Sequence, residues 1–377
     1  MNFIKVKELF EIKKGKKVEQ IEAFKEGCIR YIQIDDLRNN NNIKFCNEEK
    51  SYIISNSDDI IIAWDGANAG TIGYGLVGAI GSTLAILRKK DNNFNTEYCG
   101  LFLKSKFNYL RDKCTGATIP HISRSSLEEL RVPNIGVEEQ KKIANILNLA
   151  QELIDKRKKQ IEELDLLVKS KFIEMFGDPV KNPLEWQKGK IADIIVKTQY
   201  GTSNKADEFN GDFKVLRMNN ITYDGNWDFT SIKYINLDEK EQKKYLVYKG
   251  EVLFNRTNSK ELVGKTAVYK EDEPMAYAGY LVKAIPNEKA NGEFISAYMN
   301  TKYVKDKLLN MAKNIVGMAN INAEEFKKID IYIPPIELQN QFADFVKQVD
   351  KLKFKMEFDL KELEYNFNSL MKKYFQN

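Results

Sequence analysis

The apolar residues of this chain follow two rhythms in alternation, and the alternation occurs twice. Over residues 1–133, short apolar runs such as Arg30-Tyr31-Ile32-Gln33-Ile34 and Asp59-Ile60-Ile61-Ile62-Ala63-Trp64 sit between turn-rich stretches, which predicts strands in a mixed α/β domain. One helix is predicted over Thr96 to Arg111. From Glu138 to Phe176 there is neither proline nor glycine, and charge alternates with apolar residues. That stretch predicts a single helix, about 57 Å long at ~1.5 Å per residue. Gly177-Asp178-Pro179 stops it. The pattern then starts again, with strands at Lys214–Met218 and Glu251–Phe254 and a helix over Phe294 to Met311. Ile333-Pro334 leads into a second long helix, Glu337 to Phe375. The expected fold is α+β: two tandem mixed α/β domains at 1–133 and 178–334, each followed by a long helix, within 134–177 and 335–377.

The two long helices superpose without a gap at an offset of 199. Gln140-x-x-Ile143-Ala144 falls on Gln339-x-x-Phe342-Ala343, Leu153 on Leu352, Leu164 on Leu363 and Phe176 on Phe375. Heptad a and d positions of the first helix hold Ile143, Ile146, Ala150, Leu153, Leu164 and Leu167, interrupted by Arg157 and Gln160. In the second they include Leu338, Phe342, Phe345, Val349, Leu352, Met356, Leu363 and Leu370, interrupted by Asp359 and Asn366. A further row, Leu147, Ile154, Ile161 and Val168, widens the first stripe. A strict a/d seam serves one partner helix, so the extra row either meets a second partner or packs on the helix's own globular domain.

The globular parts match more loosely. Tyr31-Ile32-Gln33-Ile34-Asp35-Asp36-Leu37 falls on Val215-Leu216-Arg217-Met218-Asn219-Asn220-Ile221, Ile72-Gly73 on Val263-Gly264, and Gly116 and Pro133 on Gly317 and Pro334. The apolar skeleton survives while polar residues change, which suits two recognition surfaces with different targets.

Composition narrows the class. The chain of 377 residues has 43% hydrophobic and 30% charged residues, a net charge of +5 and a pI near 8.6. That describes a globular, mildly basic protein, and the basic balance is only a weak pointer to an anionic partner. Lys13-Lys14-Gly15-Lys16-Lys17 and Lys156-Arg157-Lys158-Lys159 suit either phosphate contact or a solvated face. No apolar run approaches the roughly 20 residues that span a bilayer, and Met1–Phe10 lacks the apolar core of a secretion signal, so no membrane association and a cytoplasmic location are expected. Cys28, Cys46, Cys99 and Cys114 form no CxxC pair and His121 is the only histidine, so no metal site is expected.

Several motifs resemble chemistry without its context. Gly73-Tyr74-Gly75-Leu76-Val77-Gly78 matches G-x-G-x-x-G, but a strand-like run follows where a dinucleotide site needs a helix, so a hairpin turn is expected. Ser259-Lys260-Glu261-Leu262-Val263-Gly264-Lys265-Thr266 lacks the first glycine of a P-loop and also runs into an extended stretch. Asn182-Pro183-Leu184 and Ile333-Pro334-Pro335 are helix breakers, not the Asn-Pro-Pro-aromatic site of an amino-methyltransferase. No catalytic residues are assigned.

On its order of elements, the chain resembles the specificity subunit of type I restriction–modification enzymes. The segments that carry the likeness are Gly116-Ala117-Thr118-Ile119-Pro120-His121-Ile122-Ser123, Leu130-Arg131-Val132-Pro133 with Glu138-Glu139-Gln140-Lys141-Lys142-Ile143-Ala144, and Leu253-Phe254-Asn255-Arg256-Thr257-Asn258-Ser259 with Leu262-Val263-Gly264-Lys265-Thr266. The likeness covers essentially the whole chain. It implies two target-recognition domains that each read one half of a split double-stranded DNA site, held apart by helices packed as an antiparallel coiled coil. It also implies two adenine methyltransferase subunits, docked on the helices and carrying S-adenosylmethionine, and two restriction subunits using ATP and magnesium. The chain itself would then be non-catalytic and hold no cofactor. A specificity subunit of a related bifunctional methyltransferase–nuclease system fits the same pattern, and a non-DNA coiled-coil scaffold is the reading outside DNA recognition.

Base contact favours polar residues in glycine-rich loops, where backbone can approach a groove. The candidates are Lys14, Lys16, Asn68, Thr115, Thr118 and His121 in the first domain, and Tyr200, Thr202, Ser203, Asn204, Arg256, Asn258, Ser259 and Lys260 in the second. Arginine grips guanine and asparagine adenine in paired contacts, whereas lysine more often takes phosphate, which makes Arg256 the first choice. Candidates for helix pairing and subunit docking are Ile143, Leu147, Leu153, Ile154, Leu164, Phe342, Phe345, Val349, Leu352 and Leu363.

Overall fold

Ile60–Ala63 is a strand of four consecutive apolar residues, all buried, as expected of a strand covered on both faces. The computed structural model, which describes residues 2–116, 118–315 and 318–375, places it inside an antiparallel sheet of Phe10–Lys14, Leu84–Lys89, Ile60–Ala63 and Ile72–Tyr74, in that spatial order. The second globular half repeats this sheet with Ile195–Tyr200, Leu281–Pro286, Val252–Asn255 and Thr266–Val268. Each half adds a second sheet built on a parallel pair, Cys28–Ile32 with Gly78–Ile80 and Phe213–Leu216 with Met275–Tyr277.

The pairings locate the repeat more finely than the sequence does. Tyr31 lies opposite Ala79, and Val215 opposite Ala276, in agreement with the match of Tyr31 to Val215. The match of Gly73 to Gly264 fails. Gly264 N–H donates to the Asn255 carbonyl (2.8 Å), and the group that does this in the first half is Gly70 N–H, to Ala63 (2.8 Å). Both glycines have positive φ, +95° and +89°, which explains the residue type at that turn. Gly73 instead lies within a strand. Gly317 and Ala117 lie outside the described residues.

The glycine-rich run at 73–78 is a loop between two sheets, not a hairpin: Ile72–Tyr74 pairs with Ile60–Ala63, and Gly78–Ile80 pairs with Cys28–Ile32. The P-loop-like run continues as the strand Thr266–Val268, and Lys265 is buried, its Nζ donating to the Met218 carbonyl (2.7 Å). Each predicted mid-domain helix is two helices, Thr96–Ser105 with Phe107–Asp112 and Gly292–Met299 with Lys302–Met311. The second break falls at Thr301, whose hydroxyl caps the new helix by accepting from Val304 N–H. Cys46 and Cys99 are buried, Cys28 and Cys114 half-buried, and all four thiols are free.

The long helices run Val137–Phe176 and Ile336–Phe375, 40 residues each, and keep the offset of 199 at both ends. Residues 1–158 with 358–377 form one compact unit and 159–357 a second, so both helices are divided between units. Within the first unit Arg157 pairs with Asp359 (2.6 Å) and Lys158 with Glu364 (2.8 Å). The two charged ones among the four predicted seam interruptions thus neutralise each other. Within the second, Lys353 pairs with Asp165 (2.7 Å) and the Lys171 ammonium lies over the Phe345 ring. Numbers rise on one helix as they fall on the other, so the helix segments in this unit are antiparallel.

The buried apolar face differs from the a/d expectation, and Ile143, Ala144 and Leu147 pack into the core of the first globular half. Leu147 and Ile154 are buried with the a-row residues Ile143 and Leu164, whereas the d-row residues Ile146, Leu153 and Leu167 are 43%, 54% and 46% exposed. The second helix agrees: Phe342, Val346 and Val349 are buried and Leu352 is 44% exposed, with Phe345 and Leu363 half-buried. Both rows of the first helix are apolar, so periodicity alone could not choose between them.

Two details explain the strongest sequence matches. Gln140 and Gln339 are fully buried clamps. Gln140 accepts from Asn95 N–H (2.8 Å) and donates to the Ile135 carbonyl (2.8 Å). Gln339 does the same with Asn291 N–H (2.9 Å) and the Pro334 carbonyl (2.8 Å). Gln140→Ala leaves buried groups unpaired and should cost about 2–4 kcal/mol, since each such group costs ~1–3 kcal/mol. Hydrogen exchange within the first unit checks this, and Gln339→Ala should cost the second unit the same; a loss within measurement error for either would deny the clamp. The helix ends are aromatic anchors. Phe375 packs on Tyr98 (5.3 Å) and Phe102 (5.8 Å), and Phe176 on Phe294 (4.9 Å) and Phe342 (5.5 Å).

Candidate nucleic-acid interface

The polar candidates of the first half gather where three segments meet: the end of strand Phe10–Lys14, the loop after Ile60–Ala63, and the loop ending at His121. Lys14 Nζ lies 2.7 Å from Asp65 Oδ2, and His121 Nδ1 lies 2.6 Å from Asp65 Oδ1. Thr115 and His121 exchange both backbone hydrogen bonds, at 2.9 and 2.8 Å. Asn68, in the same loop as Asp65, accepts from Arg38 Nη2 (2.7 Å). Lys16 and Thr118 are exposed nearby in sequence. Burial pushes the Asp65 carboxyl up, but hydrogen bonds from Lys14 and His121 outweigh it and hold the group below the usual carboxylate range.

The second half builds the corresponding place from other residues. Ile122 N–H donates to the Trp64 carbonyl and Ile321 N–H to the Arg256 carbonyl, both at 2.9 Å, so Arg256 occupies the position of Trp64. Ala85 lies opposite Lys14 and Val282 opposite Tyr200, which sets Tyr200 at the position of Lys14. The cation and the aromatic ring have exchanged strands. In the second half they touch, the Arg256 guanidinium lying 4.9 Å from the centre of the Tyr200 ring. One Arg256 Nη donates weakly to the Gly279 carbonyl (3.4 Å), and its Nε is buried without a partner. Thr257 and Asn320 stand where Asp65 and His121 stand, with Thr257 Oγ1 donating to Asn320 Oδ1 (3.1 Å).

The remaining candidates divide. Ser203, Asn204 and Lys260 are exposed, and Asn204 donates to Glu241 (2.8 Å). Ser259 is half-buried. Thr202 and Asn258 are buried. Thr202 Oγ1 accepts from Asn204 N–H (3.1 Å), and Asn258 Nδ2 donates to Asn255 Oδ1 (2.8 Å) while its Oδ1 accepts from Ser259 N–H (2.9 Å). They shape the loops that carry their neighbours. The run Lys156-Arg157-Lys158-Lys159 is neutralised throughout, by Glu152, Asp359, Glu364 and Glu163. Nothing local in the sequence marks Asp65, Trp64, Thr257 and Asn320; only an alignment through strand pairing does.

A family model described as type I restriction modification DNA specificity domain matches twice, over residues 1–165 and 183–365. The chain belongs to that specificity family. The double match coincides with the structural repeat. Among relatives, the type I restriction enzyme MjaVIII specificity subunit of Methanocaldococcus jannaschii is 28% identical, over 93% of this chain and 86% of its own length. The EcoKI specificity subunit of Escherichia coli K12 is 24% identical, over 87% and 78%. The crystal structure of a type I restriction–modification S subunit from M. genitalium shares the fold, with a TM-score of 0.62 at 17% identity, covering all of this chain and 96% of that one. No helix among the described residues is long and apolar enough to cross a membrane.

Proposed function

We propose that this member of the specificity family recognises an asymmetric, bipartite DNA site without reacting with it, each globular half reading one part. The observation that supports this best is one backbone plan carrying Lys14, Asp65 and His121 in one half and Tyr200, Arg256, Thr257 and Asn320 in the other. Equal scaffolds with unequal polar groups give unequal half-sites. The long helices then set the unread spacing, and the exposed Ile146, Leu153, Leu167 and Leu352 offer apolar surface to methyltransferase subunits, two in number on the symmetry of the repeat. S-adenosylmethionine belongs to those subunits. ATP and magnesium belong to restriction subunits, also two.

Mapping methylated adenines in a host with and without this gene tests the reading. A bipartite motif that appears only with the gene is the expected result; no gene-dependent motif would reject it. Arg256→Ala sharpens the test. A guanidinium suits guanine N7 and O6, so one base of one half-site should relax, at a cost of about 1–3 kcal/mol. An equal fall in binding to all sequences would make Arg256 a phosphate contact.

A further inference from the structure

We propose that Asp65 is a positioning residue that sets which base the first globular half accepts. The inference rests on the proposed DNA-reading function. An ionised carboxylate only accepts hydrogen bonds, so the 2.6 Å contact from Asp65 Oδ1 requires His121 Nδ1 to carry the proton. Lys14 Nζ, 2.7 Å from the other oxygen, keeps Asp65 ionised and fixes it from a second strand. In the neutral ring, Nε2 is then an acceptor. The His121 side chain is 46% exposed, and Nε2 has no partner among the described residues.

An outward acceptor at a reading loop selects bases that present an amino group in the major groove, adenine N6 or cytosine N4, and disfavours guanine N7 and O6. Asp65 makes no base contact of its own. It acts by choosing the tautomer and fixing the ring. In the second half, Thr257 and Asn320 occupy these positions, and an amide offers a donor and an acceptor together. The same place in the fold therefore presents a different hydrogen-bond pattern in each half.

The experiment exploits the fact that His121 is the only histidine of the chain. Nitrogen NMR of the full chain labelled with 15N-histidine, followed along a pH titration, should show the Nδ1–H tautomer in the neutral ring, and Asp65→Asn should shift the population toward Nε2–H. In the assembled methyltransferase, Asp65→Asn and His121→Ala should relax the same single position of one half-site, lowering its preference for adenine or cytosine about ten- to a hundredfold. The base found there in the native motif tells which amino group is read. The other half-site and the spacing should stay unchanged. Lys14→Met removes one of the two holds on Asp65, so it should weaken binding and relax that same position by less than Asp65→Asn does. An Nε2–H tautomer in the native chain, or an intact motif in both variants, would overturn the proposal while leaving bipartite reading in place. A native complex that methylates no bipartite site would sink both readings.

Discussion

Phe375→Ala should cost the first unit about 3–5 kcal/mol, the range for emptying a buried aromatic site. Phe375 is buried between Tyr98 and Phe102, and Lys106 Nζ donates to its carbonyl at 2.8 Å, holding one of the free carbonyls at the helix end. Truncation therefore opens a cavity and loosens the last turn of the helix. Hydrogen exchange on the full chain is the appropriate measurement, because a two-unit protein does not unfold as one step. Protection should fall across Thr96–Ser105, while Gly292–Met299 in the second unit serves as the internal control. Phe176→Ala should give the mirror result. Unchanged protection at Thr96–Ser105 would mean that the helix end is not an anchor.

Insertion of one heptad at the middle of each long helix, after Gln160 in the first and after Met356 in the second, between the two cross-helix ion pairs on each, should lengthen the unread spacer and leave both half-sites as they are. Seven residues add about 10.5 Å at 1.5 Å per residue. The rise of DNA is about 3.4 Å per base pair, so the spacer should grow by up to about three base pairs. A whole heptad preserves the phase of the a and e rows, and insertion in both helices keeps their opposing charges, Arg157 with Asp359 and Asp165 with Lys353, in step. A change in either half-site, with the spacer unaltered, would reject the helices as a ruler. Adenine methylation mapping reads both quantities at once.

Much of the architecture is written locally. The two long helices were legible to within one residue at their starts, because the absence of proline and glycine and a period near 3.6 are properties of the backbone itself. The repeat was legible for the same reason: Gln140 with Gln339 and Phe176 with Phe375 stand at fixed distances inside unbroken helices. Strand positions were found to within two or three residues, but the alignment slipped at Gly264, where loops of unequal length hide the partner, Gly70.

The candidate interface was legible only as a set of loops. Lys14, Thr115 and His121 were named from glycine-rich surroundings, yet Asp65, which gathers two of them, looks like any acidic residue after a strand. Thr202 and Asn258 were named on residue type, and burial removes them. The sequence by itself determined the duplication, the element order and the length of the helices, since each follows from short-range pattern. Only the tertiary structure decided which apolar row forms the seam and which polar side chains meet. Those outcomes depend on contacts between residues far apart in sequence, such as Asp65 with His121, 56 positions away, and Arg157 with Asp359, 202 positions away, and no local period encodes them.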